Sequence, residues 1–545
     1  MKPSTCTLIK TTTLILSFVL IANAVGAAAT GKPVYPLYAI ASGDPDPTPA
    51  DLKVIANGFS LIQGNFSRED IRAIHEMNPG FKNVSYINSS YTQNAAQVPV
   101  VEGKYRRALI MFPVARLAGS IDASTTEFFL EKSPEHNHDE IALKGSTRKG
   151  NTSSGSSEPK STRSYVTWIL VGDEVMRIEA FDSASNRIKV TRAFDGSKAR
   201  KHEKGSLVFS PAYLGSQNLT GAWPGGPGQH LRYGFDPGKP ESGLWIAGLA
   251  KEKMKLGYDG VWLDIMSASP FNLCDSLGRK VRAWNFGANR YYTPDEYRRG
   301  QELKVSVIQR TIHEEAGDFP FIVANNMSSG NFDTGNGGLR KLLESTYMKP
   351  RPIDGYSIEG FAGGFFAKVD EGIVGGLEFH TGDVWKGNVR MLMKCAQEHL
   401  AAYPMSGKAG SKTLLIEPLG DERVAFEDFA YATYLMAVEA DFDTPYGIPA
   451  FYQDNGKRFA YLDPRYSWPI GAPAETVSPE NLDDYRIGGH QSYLRKFENG
   501  IVLVNPTLDA DESIKLDKAY VDPRTGKTVR SITMAPHSGT ILLAN

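Results

Sequence analysis

Residues 241–267 place a helix, a glycine and a strand in direct succession, and this order constrains the fold most strongly. The segment ESGLWIAGLAKEKMKL (241–256) has helical spacing, with Leu244, Ala247, Leu249 and Met254 as the candidate buried positions. After Gly257, the apolar run Val261, Trp262 and Leu263 ends at Asp264, as a buried strand does when it reaches a polar rim. A helix leading into such a strand is the unit of a (β/α)8 barrel, whose functional side chains lie at the carboxyl ends of its strands.

The same alternation recurs along the chain. Strands are predicted at 35–41, 59–63 and 82–88, and Ser67 precedes acidic residues in the order of a helix N-cap. These closely spaced units indicate a parallel, wound sheet. The later part of the chain predicts further strands at 321–327, 354–361, 412–416 and 440–446, separated by helices at 294–315, 338–347, 388–403 and 422–439.

Two regions depart from this pattern. Residues 119–210 contain short alternating strands and a low-complexity stretch at 145–164, so we predict a small inserted β module. Residues 486–545 alternate again and predict a C-terminal antiparallel β-sandwich that supports the barrel. The TIM barrel itself is then assigned to residues 30–118 and 211–485.

The N-terminal residues and the overall charge bear on compartment and partners. Residues 1–29 have the charge, apolar core and small residues of a secretory signal peptide, which predicts a secreted or periplasmic protein; a retained anchor is the alternative. The 60 basic and 61 acidic side chains nearly cancel, so no global field favours nucleic acid, and no later run predicts a membrane span. Cys274 and Cys395 could pair in such a compartment or remain two buried thiols.

Polar side chains at the predicted strand ends suggest a chemistry. Carboxylates at several barrel strand ends suit glycoside hydrolysis, in which one acid protonates the leaving oxygen and a carboxylate attacks carbon or activates water. Aromatic side chains such as Trp262 and Trp284 offer apolar faces to sugar rings. No P-loop, dinucleotide fingerprint or HExxH helix is found, so neither a cofactor nor a metal is expected. The strand-end candidates are Asp264, Asn325, Asn326, Glu359 and Glu417.

Several segments together resemble a known family. They are YPLYAIAS, FSLIQGNF, EMNPGFKNVSYIN, GYDGVWLDIMS, YSIEGF and the C-terminal GIVLVNPT, YVDPRTGKTV and MAPHSGTILL. The resemblance, over most of 35–118 and 211–545, is to glycoside-hydrolase-like family 15 of the α-galactosidase-like barrels, distinct from the glucoamylases that share the number. It implies a nucleophile after the fourth strand and an acid/base after the sixth, which fall on Asp264 and Glu359. Related barrels often carry Asp at the second position, so Glu359 departs from their pattern.

The resulting hypothesis is a secreted glycoside hydrolase that cleaves an oligo- or polysaccharide with retention. Two alternatives stay open: a non-catalytic carbohydrate-binding or cell-surface protein on the same barrel, and a non-glycosidic hydrolase or lyase using the same acids. Structural roles are open as well, since Asp264 could hold a loop and Glu359 could pair with Arg351 or Lys349. The assigned roles are catalysis for Asp264 and Glu359, and substrate binding for Trp262, Trp284, Asn325, Asn326 and Glu417.

Overall fold

A computed structural model describes most of the chain. The described residues are 32–41, 46–93, 97–132, 168–182, 184–214, 232–267, 273–275, 280–325, 327, 353–366, 376–405, 421–440, 444–454 and 457–545. The predicted signal segment and the low-complexity stretch 145–164 lie outside them. No helix within these ranges is long and apolar enough to cross a membrane.

Eight parallel strands form the central sheet, and their spatial order follows the chain. Strand eight pairs with strand one, and a parallel bridge between Met405 and Gly447 joins the two remaining edges. The predicted (β/α)8 barrel is therefore confirmed. Its strands are Leu37–Ile40 (β1), Leu61–Gln63 (β2), Lys82–Asn88 (β3), Gly260–Asp264 (β4), Phe321–Asn325 (β5), Gly355–Ile358 (β6), Ala402–Pro404 (β7) and Tyr446–Pro449 (β8).

The helices are amphipathic segments whose starts are set by local sequence. Three of them begin with a capping box, in which a Ser or Thr side chain and an acidic side chain three residues later each bind the other's backbone N–H. Ser67 caps its helix as predicted. The helices are Pro49–Gly58 (α1), Arg68–Met77 (α2), Gln97–Lys104 (α3), Pro240–Met254 (α4), Pro294–Ala316 (α5), Gly382–Gln397 (α6) and Asp421–Leu435 (α7).

The seventh and eighth strands differ from the prediction. The helix expected to reach residue 403 ends near His399, which adopts a left-handed φ of 52°, and the short strand β7 follows at once. The seventh place in the barrel is taken by β7, and the predicted strand at 412–416 lies outside the described residues. Glu417 and residues 406–420 lie outside the described part of the chain. The last strand, β8, begins at Tyr446, where the prediction ended.

An apolar layer fills the interior of the barrel. Trp262 belongs to it and lies two residues before Asp264, so both side chains point toward the barrel axis. The interior layer therefore forms the floor beneath the carboxyl ends of the strands. Its buried members are Tyr38, Ile40, Leu61, Val84, Trp262, Val323, Tyr403 and Met405.

The inserted module is a closed antiparallel barrel with a separate apolar core. It begins at Met111, within the part of the chain that the sequence assigned to the large barrel. Its six strands are Met111–Leu117, Glu127–Lys132, Trp168–Val171, Glu174–Asp182, Arg187–Thr191 and Leu207–Pro211.

A buried ion-pair network holds the last loop of this module. The Glu174 carboxylate is buried and accepts hydrogen bonds from Arg192 at 2.6 and 2.7 Å and from the backbone N–H groups of Ala193 and Arg200. The His202 ring lies 2.8 Å from the same carboxylate. Burial raises the pKa of Glu174, but these partners outweigh burial and hold it at about 2. The loop therefore depends on an ionised Glu174.

Acid should destabilise the protein through this group. Because the folded pKa of Glu174 lies below its ordinary value of 4.5, its stabilising effect is complete above pH 4.5 and is lost as the pH falls toward 2. Glu174→Gln should cost about 2–3 kcal/mol of unfolding free energy at pH 7 and progressively less below pH 4.5, as measured by urea unfolding. Glu179→Gln, a half-exposed acid on the same strand, is the control and should change little. An equal loss for the Glu174 variant at pH 7 and pH 3 would contradict the assignment.

The C-terminal residues form a five-stranded antiparallel sheet, in agreement with the predicted antiparallel character. Glu512–Val521 pairs with Ser538–Ala544 only at Tyr520 and Val521, so the sheet curls around a separate apolar cluster. Gly539 lies directly on α7, where a Cβ would come within 2.5 Å of the Asp428 carbonyl oxygen. In spatial order the strands are Tyr493–Phe497, Gly500–Asn505, Ser538–Ala544, Glu512–Val521 and Thr528–Met534.

Candidate active site

Three polar side chains meet at the carboxyl ends of neighbouring barrel strands. Asp264 ends β4, Asn325 ends β5, and Glu359 directly follows β6. The Asn325 amide nitrogen donates to Asp264 Oδ1 at 3.0 Å and to Glu359 Oε2 at 3.1 Å. Those two carboxylate oxygens therefore lie no farther apart than the sum of the two distances. The two acids singled out from the sequence share one site, with Asn325 between them.

The Asp264 carboxylate is held by hydrogen-bond donors on both oxygens. Besides Asn325, the Ile265 N–H donates to Oδ1 at 2.9 Å, and the Tyr86 hydroxyl from β3 donates to Oδ2 at 2.5 Å. Burial raises the pKa of Tyr86, and the neighbouring Asp264 carboxylate raises it further. The phenol therefore keeps its proton and remains a donor. Three donors fix both the position and the orientation of the carboxylate.

The backbone directly after Asp264 is strained. Ile265 has a φ of 55°, which is unfavourable for a β-branched residue and persists where the surroundings over-determine it. Each of four successive carbonyl oxygens here accepts a hydrogen bond from a side chain. Because these bonds come from the residues that follow β3, from β6 and from α5, the tertiary structure maintains the turn that presents Asp264. The pairs are Ser89 with Asp264, Ser90 with Ile265, Tyr356 with Met266, and Gln301 with Ser267.

The wall of the site on the β3 side is aromatic and polar. Asn88, paired with Asp264 in the sheet, accepts the N–H groups of Ser90 and Tyr91 at 3.1 and 3.0 Å. The guanidinium of Arg232 lies over the Tyr91 ring, 5.4 Å from its centre. Burial and the Asp264 carboxylate raise the pKa of Tyr91 to about 12, against the opposing effect of Arg232. The Tyr91 hydroxyl is thus close enough to Asp264 to be affected by its charge, with the Arg232 cation over the Tyr91 ring.

The turn after Glu359 depends on glycine. Gly360 has a φ of 67°, and a Cβ there would come within 2.8 Å of the Gly363 carbonyl oxygen. The chain then enters an antiparallel hairpin of Gly363–Phe366 and Gly376–Phe379. The half-buried Glu359 thus lies at the base of a hairpin that rises from the end of β6.

The remaining predicted site residues have different locations. Trp262 is 1% exposed and packs beneath the site on Tyr38, with ring centres 5.8 Å apart, so its ring does not present an open face. Trp284 is 5% exposed and packs against Phe209 of the inserted module, with ring centres 5.8 Å apart. Neither tryptophan is placed as a sugar platform. Asn326 and Glu417 lie outside the described residues.

Several residues of the site were missed from the sequence. Tyr86, Asn88, Ser89, Ser90 and Tyr91 come from the segment YINSSY at the end of β3. The rule that selected polar residues at other strand ends applies equally to this one, and alternation places Tyr86 and Asn88 on the same face as each other. The signal was therefore present. In the described ranges, no group of three or more His, Cys, Asp and Glu side chains is arranged to hold a metal ion.

Comparison with known proteins gives similarity in fold only. No family model matches the chain, and no curated sequence matches it. Similar solved structures include the glycoside hydrolase domain of PelA from Pseudomonas aeruginosa, at 12% identity and TM-score 0.33, covering 77% of this chain and 96% of that one. Trehalose-6-phosphate hydrolase from Bacillus licheniformis matches at 10% identity and TM-score 0.39, covering 94% and 99%. A dextranase from Flavobacterium johnsoniae matches at 12% identity and TM-score 0.32, covering 94% of this chain and 53% of that one.

The protein is defined by its strand order and closing bridge as a (β/α)8 barrel. Within that class, it is a barrel whose β4 and β6 ends carry two carboxylates joined through Asn325.

Proposed function

We propose that this protein is a glycoside hydrolase that acts on an oligo- or polysaccharide with retention of anomeric configuration. The observation that carries the proposal is the Asn325 amide shared by Asp264 and Glu359. Retaining enzymes hold their two carboxyl groups about 5–5.5 Å apart, and inverting enzymes about 6.5–9.5 Å. One oxygen of Asp264 lies within the sum of 3.0 and 3.1 Å of one oxygen of Glu359, and this proximity of the two acids supports the retaining arrangement.

The surroundings assign a different role to each acid. Asp264 is oriented by three donors and serves as the nucleophile. Glu359, which is half-buried at the base of the hairpin, serves as the acid/base. Glu359 gives its proton to the glycosidic oxygen while Asp264 attacks the anomeric carbon, so the bond to the leaving group breaks and a glycosyl ester forms. Water then attacks that carbon, Glu359 takes the proton from the water, and Asp264 leaves as a carboxylate.

Asn325 adds a hydroxyl-binding group to this arrangement. Its side chain is buried, and among the described residues its amide oxygen has no hydrogen-bond partner. A buried acceptor without a partner is costly, and a substrate hydroxyl or a water molecule would relieve that cost. We therefore place Asn325 in the sugar subsite, between nucleophile and acid/base.

Asn325→Leu tests the amide that the two carboxylates share. The variant keeps the branched shape of the side chain but removes the donor that the two carboxylates share, so kcat/KM should fall about 10²–10³-fold. Stopped assays on the best glycoside substrate, with a thermal melt of each protein, measure the effect. Asn285→Leu, in the hairpin whose Trp284 packs against the inserted module, is the control and should retain activity. Unchanged kinetics for Asn325→Leu would remove Asn325 from the site.

Screening and stereochemistry test the proposal itself. The purified protein is assayed on 4-nitrophenyl glycosides of both anomeric forms and on a panel of polysaccharides. Proton NMR then follows the configuration of the first-formed sugar. Release of a sugar with retained configuration is the expected result, and an inverted product would overturn the double-displacement assignment. Binding to glycan arrays without turnover would favour the carbohydrate-binding alternative, and an unsaturated product would indicate a lyase.

We also propose that the protein is exported. The support is the sequence of residues 1–29, with a charged start, an apolar core and a small-residue end. Expression of the full chain in a secreting bacterial host, followed by N-terminal sequencing, should give a mature protein that begins close to residue 30. Retention of residues 1–29 on membrane-bound protein would favour the anchor instead.

A further inference from the structure

A lysine lies buried behind the candidate nucleophile. Lys304 is on α5 and has 0% of its surface exposed. Its amine donates a hydrogen bond to the carbonyl oxygen of Ser89 at 2.9 Å. Ser89 directly follows β3, so this bond ties the outer helix to the strand end beside Asp264.

Ser89 in turn holds the backbone of Asp264. Its N–H and its hydroxyl both donate to the Asp264 carbonyl oxygen, at 3.1 and 2.7 Å. The next residue, Ser90, donates through its hydroxyl to the Ile265 carbonyl at 2.6 Å. The Ser89–Ser90 pair thus holds the strained turn from which the Asp264 carboxylate projects. A displacement of Ser89 would therefore also displace that turn.

The surroundings of Lys304 are costly for a cation. Burial lowers the pKa of Lys304 to about 7, and the carboxylate of Asp236 acts in the opposite direction. Asp236 is itself buried, and burial raises its pKa. A buried lysine is generally less favourable for stability than an apolar side chain of similar size. Its presence at this position therefore calls for a role other than packing.

We propose that Lys304 is a positioning residue for Asp264, acting through Ser89 to hold the strained turn after β4 in the geometry that nucleophilic attack requires. The role in catalysis rests on the function proposed above. The geometric part, a clamp on the β3 and β4 ends, stands independently of it. Gln301 on the same helix supplies a second such bond, from its amide to the Ser267 carbonyl at 3.1 Å.

Lys304→Met tests the catalytic part. This variant keeps the length and apolar stem of the side chain but cannot donate to Ser89. With the 4-nitrophenyl glycoside that the wild type cleaves best, kcat should fall about 10²-fold, as for a small misplacement of a reacting group, with KM within about 3-fold of wild type. The melting temperature at pH 6 should not fall, because a buried cation has been removed. If the Met variant does not fold, Lys304→Leu, which also cannot donate to Ser89, is used with the same criteria.

The control is Gln309→Met, which puts the same side chain at an equally buried position of α5. It lies about 7.5 Å farther along the helix, away from its start near the strand ends, and should leave kcat unchanged. A kcat equal to wild type in Lys304→Met overturns the proposal.

Hydrogen exchange gives a test that needs no substrate. In Lys304→Met, peptides covering residues 84–93 and 260–267 should exchange at least about 10-fold faster than in wild type, because the amides of Ser89 and Ile265 lose a rigid framework. Gln309→Met should leave both peptides unchanged. If no glycoside is cleaved but exchange changes as described, the proposed function fails and the clamp stands. If exchange is unchanged, the clamp fails whatever the activity.

Discussion

Replacement of Asp264 by glycine is expected to lower kcat on the order of 10⁴–10⁶-fold, because the group that we propose attacks the anomeric carbon is lost. Added azide should restore turnover with 4-nitrophenyl glycosides by entering the space left by the carboxylate. Azide attack from that side, with proton donation by Glu359, gives a glycosyl azide of inverted configuration. Proton NMR of the product identifies it.

The corresponding change at Glu359 should have a different signature. Glu359→Ala should lower kcat/KM about 10²–10⁴-fold for substrates with poor leaving groups and much less for 2,4-dinitrophenyl glycosides, which leave without a proton. Azide should then give a product of retained configuration, since Asp264 still forms the ester. Identical azide products from both variants would contradict the division of roles.

A carboxylate at the opposite end of β4 provides the matched control. Asp259 precedes the strand and accepts the Asn83 N–H at 2.8 Å, with His75 and Lys82 at 3.1 and 3.4 Å. In (β/α)8 barrels this end of the strands serves stability, and the opposite end serves chemistry. Asp259→Asn should therefore lower the melting temperature and leave kcat near the wild-type value. A loss of kcat as large as that in Asp264→Gly would show that the effect is not specific to the strand ends.

Arg495→Met is expected to cause the largest loss of stability. Arg495 is 0% exposed and reaches from the C-terminal sheet to the end of α7, where it donates to the Leu435 and Val438 carbonyls at 2.9 and 2.6 Å. It also binds Glu439 and the Glu475 carbonyl, each at 3.2 Å. Removing the guanidinium leaves helix-end carbonyls and a half-buried acid without their donor. The free energy of unfolding should therefore fall by about 3–5 kcal/mol. Urea unfolding at pH 7 measures the change.

The control for this variant is Arg530→Met, an exposed arginine of the same sheet. It should change the unfolding free energy by less than about 0.5 kcal/mol. A loss below about 1 kcal/mol for Arg495→Met would mean that water or relaxation of α7 replaces its hydrogen bonds. In that case the C-terminal sheet would be attached mainly by apolar packing.

The C-terminal sheet also touches the hairpin that follows Glu359. The His537 ring stacks on Phe379 with ring centres 4.7 Å apart, and Phe379 packs edge-on against Phe426 and Phe429 of α7. Phe379 ends the second strand of that hairpin. Through these contacts the C-terminal sheet packs against the hairpin that begins after Glu359. This is how the C-terminal region could serve its expected supporting role.

Secondary structure was predictable wherever a local signal was strong. The strand Lys82–Asn88 has the predicted bounds, and the capping boxes at Ser67 and Thr293 place the starts of α2 and α5. Local signals were not sufficient for very short strands or for helices that pack against two neighbouring elements. Leu244, predicted as buried, is 42% exposed, whereas the adjacent Trp245 and Ile246 are buried, because α4 packs on both the barrel and α5. The three-residue β7 is too short for periodicity to reveal.

The sequence by itself determined the barrel and two of its strand-end acids, since apolar runs, glycines and caps act over a few residues and mark where each strand ends. It could not determine that Asn325 joins Asp264 and Glu359, 61 and 34 residues away along the chain. Nor could it indicate Lys304, whose partner Ser89 is 215 residues distant, or show that Trp262 fills the barrel floor. Those relations arise only when the sheet closes, because closure brings distant strand ends within hydrogen-bonding distance and determines which side chains are enclosed.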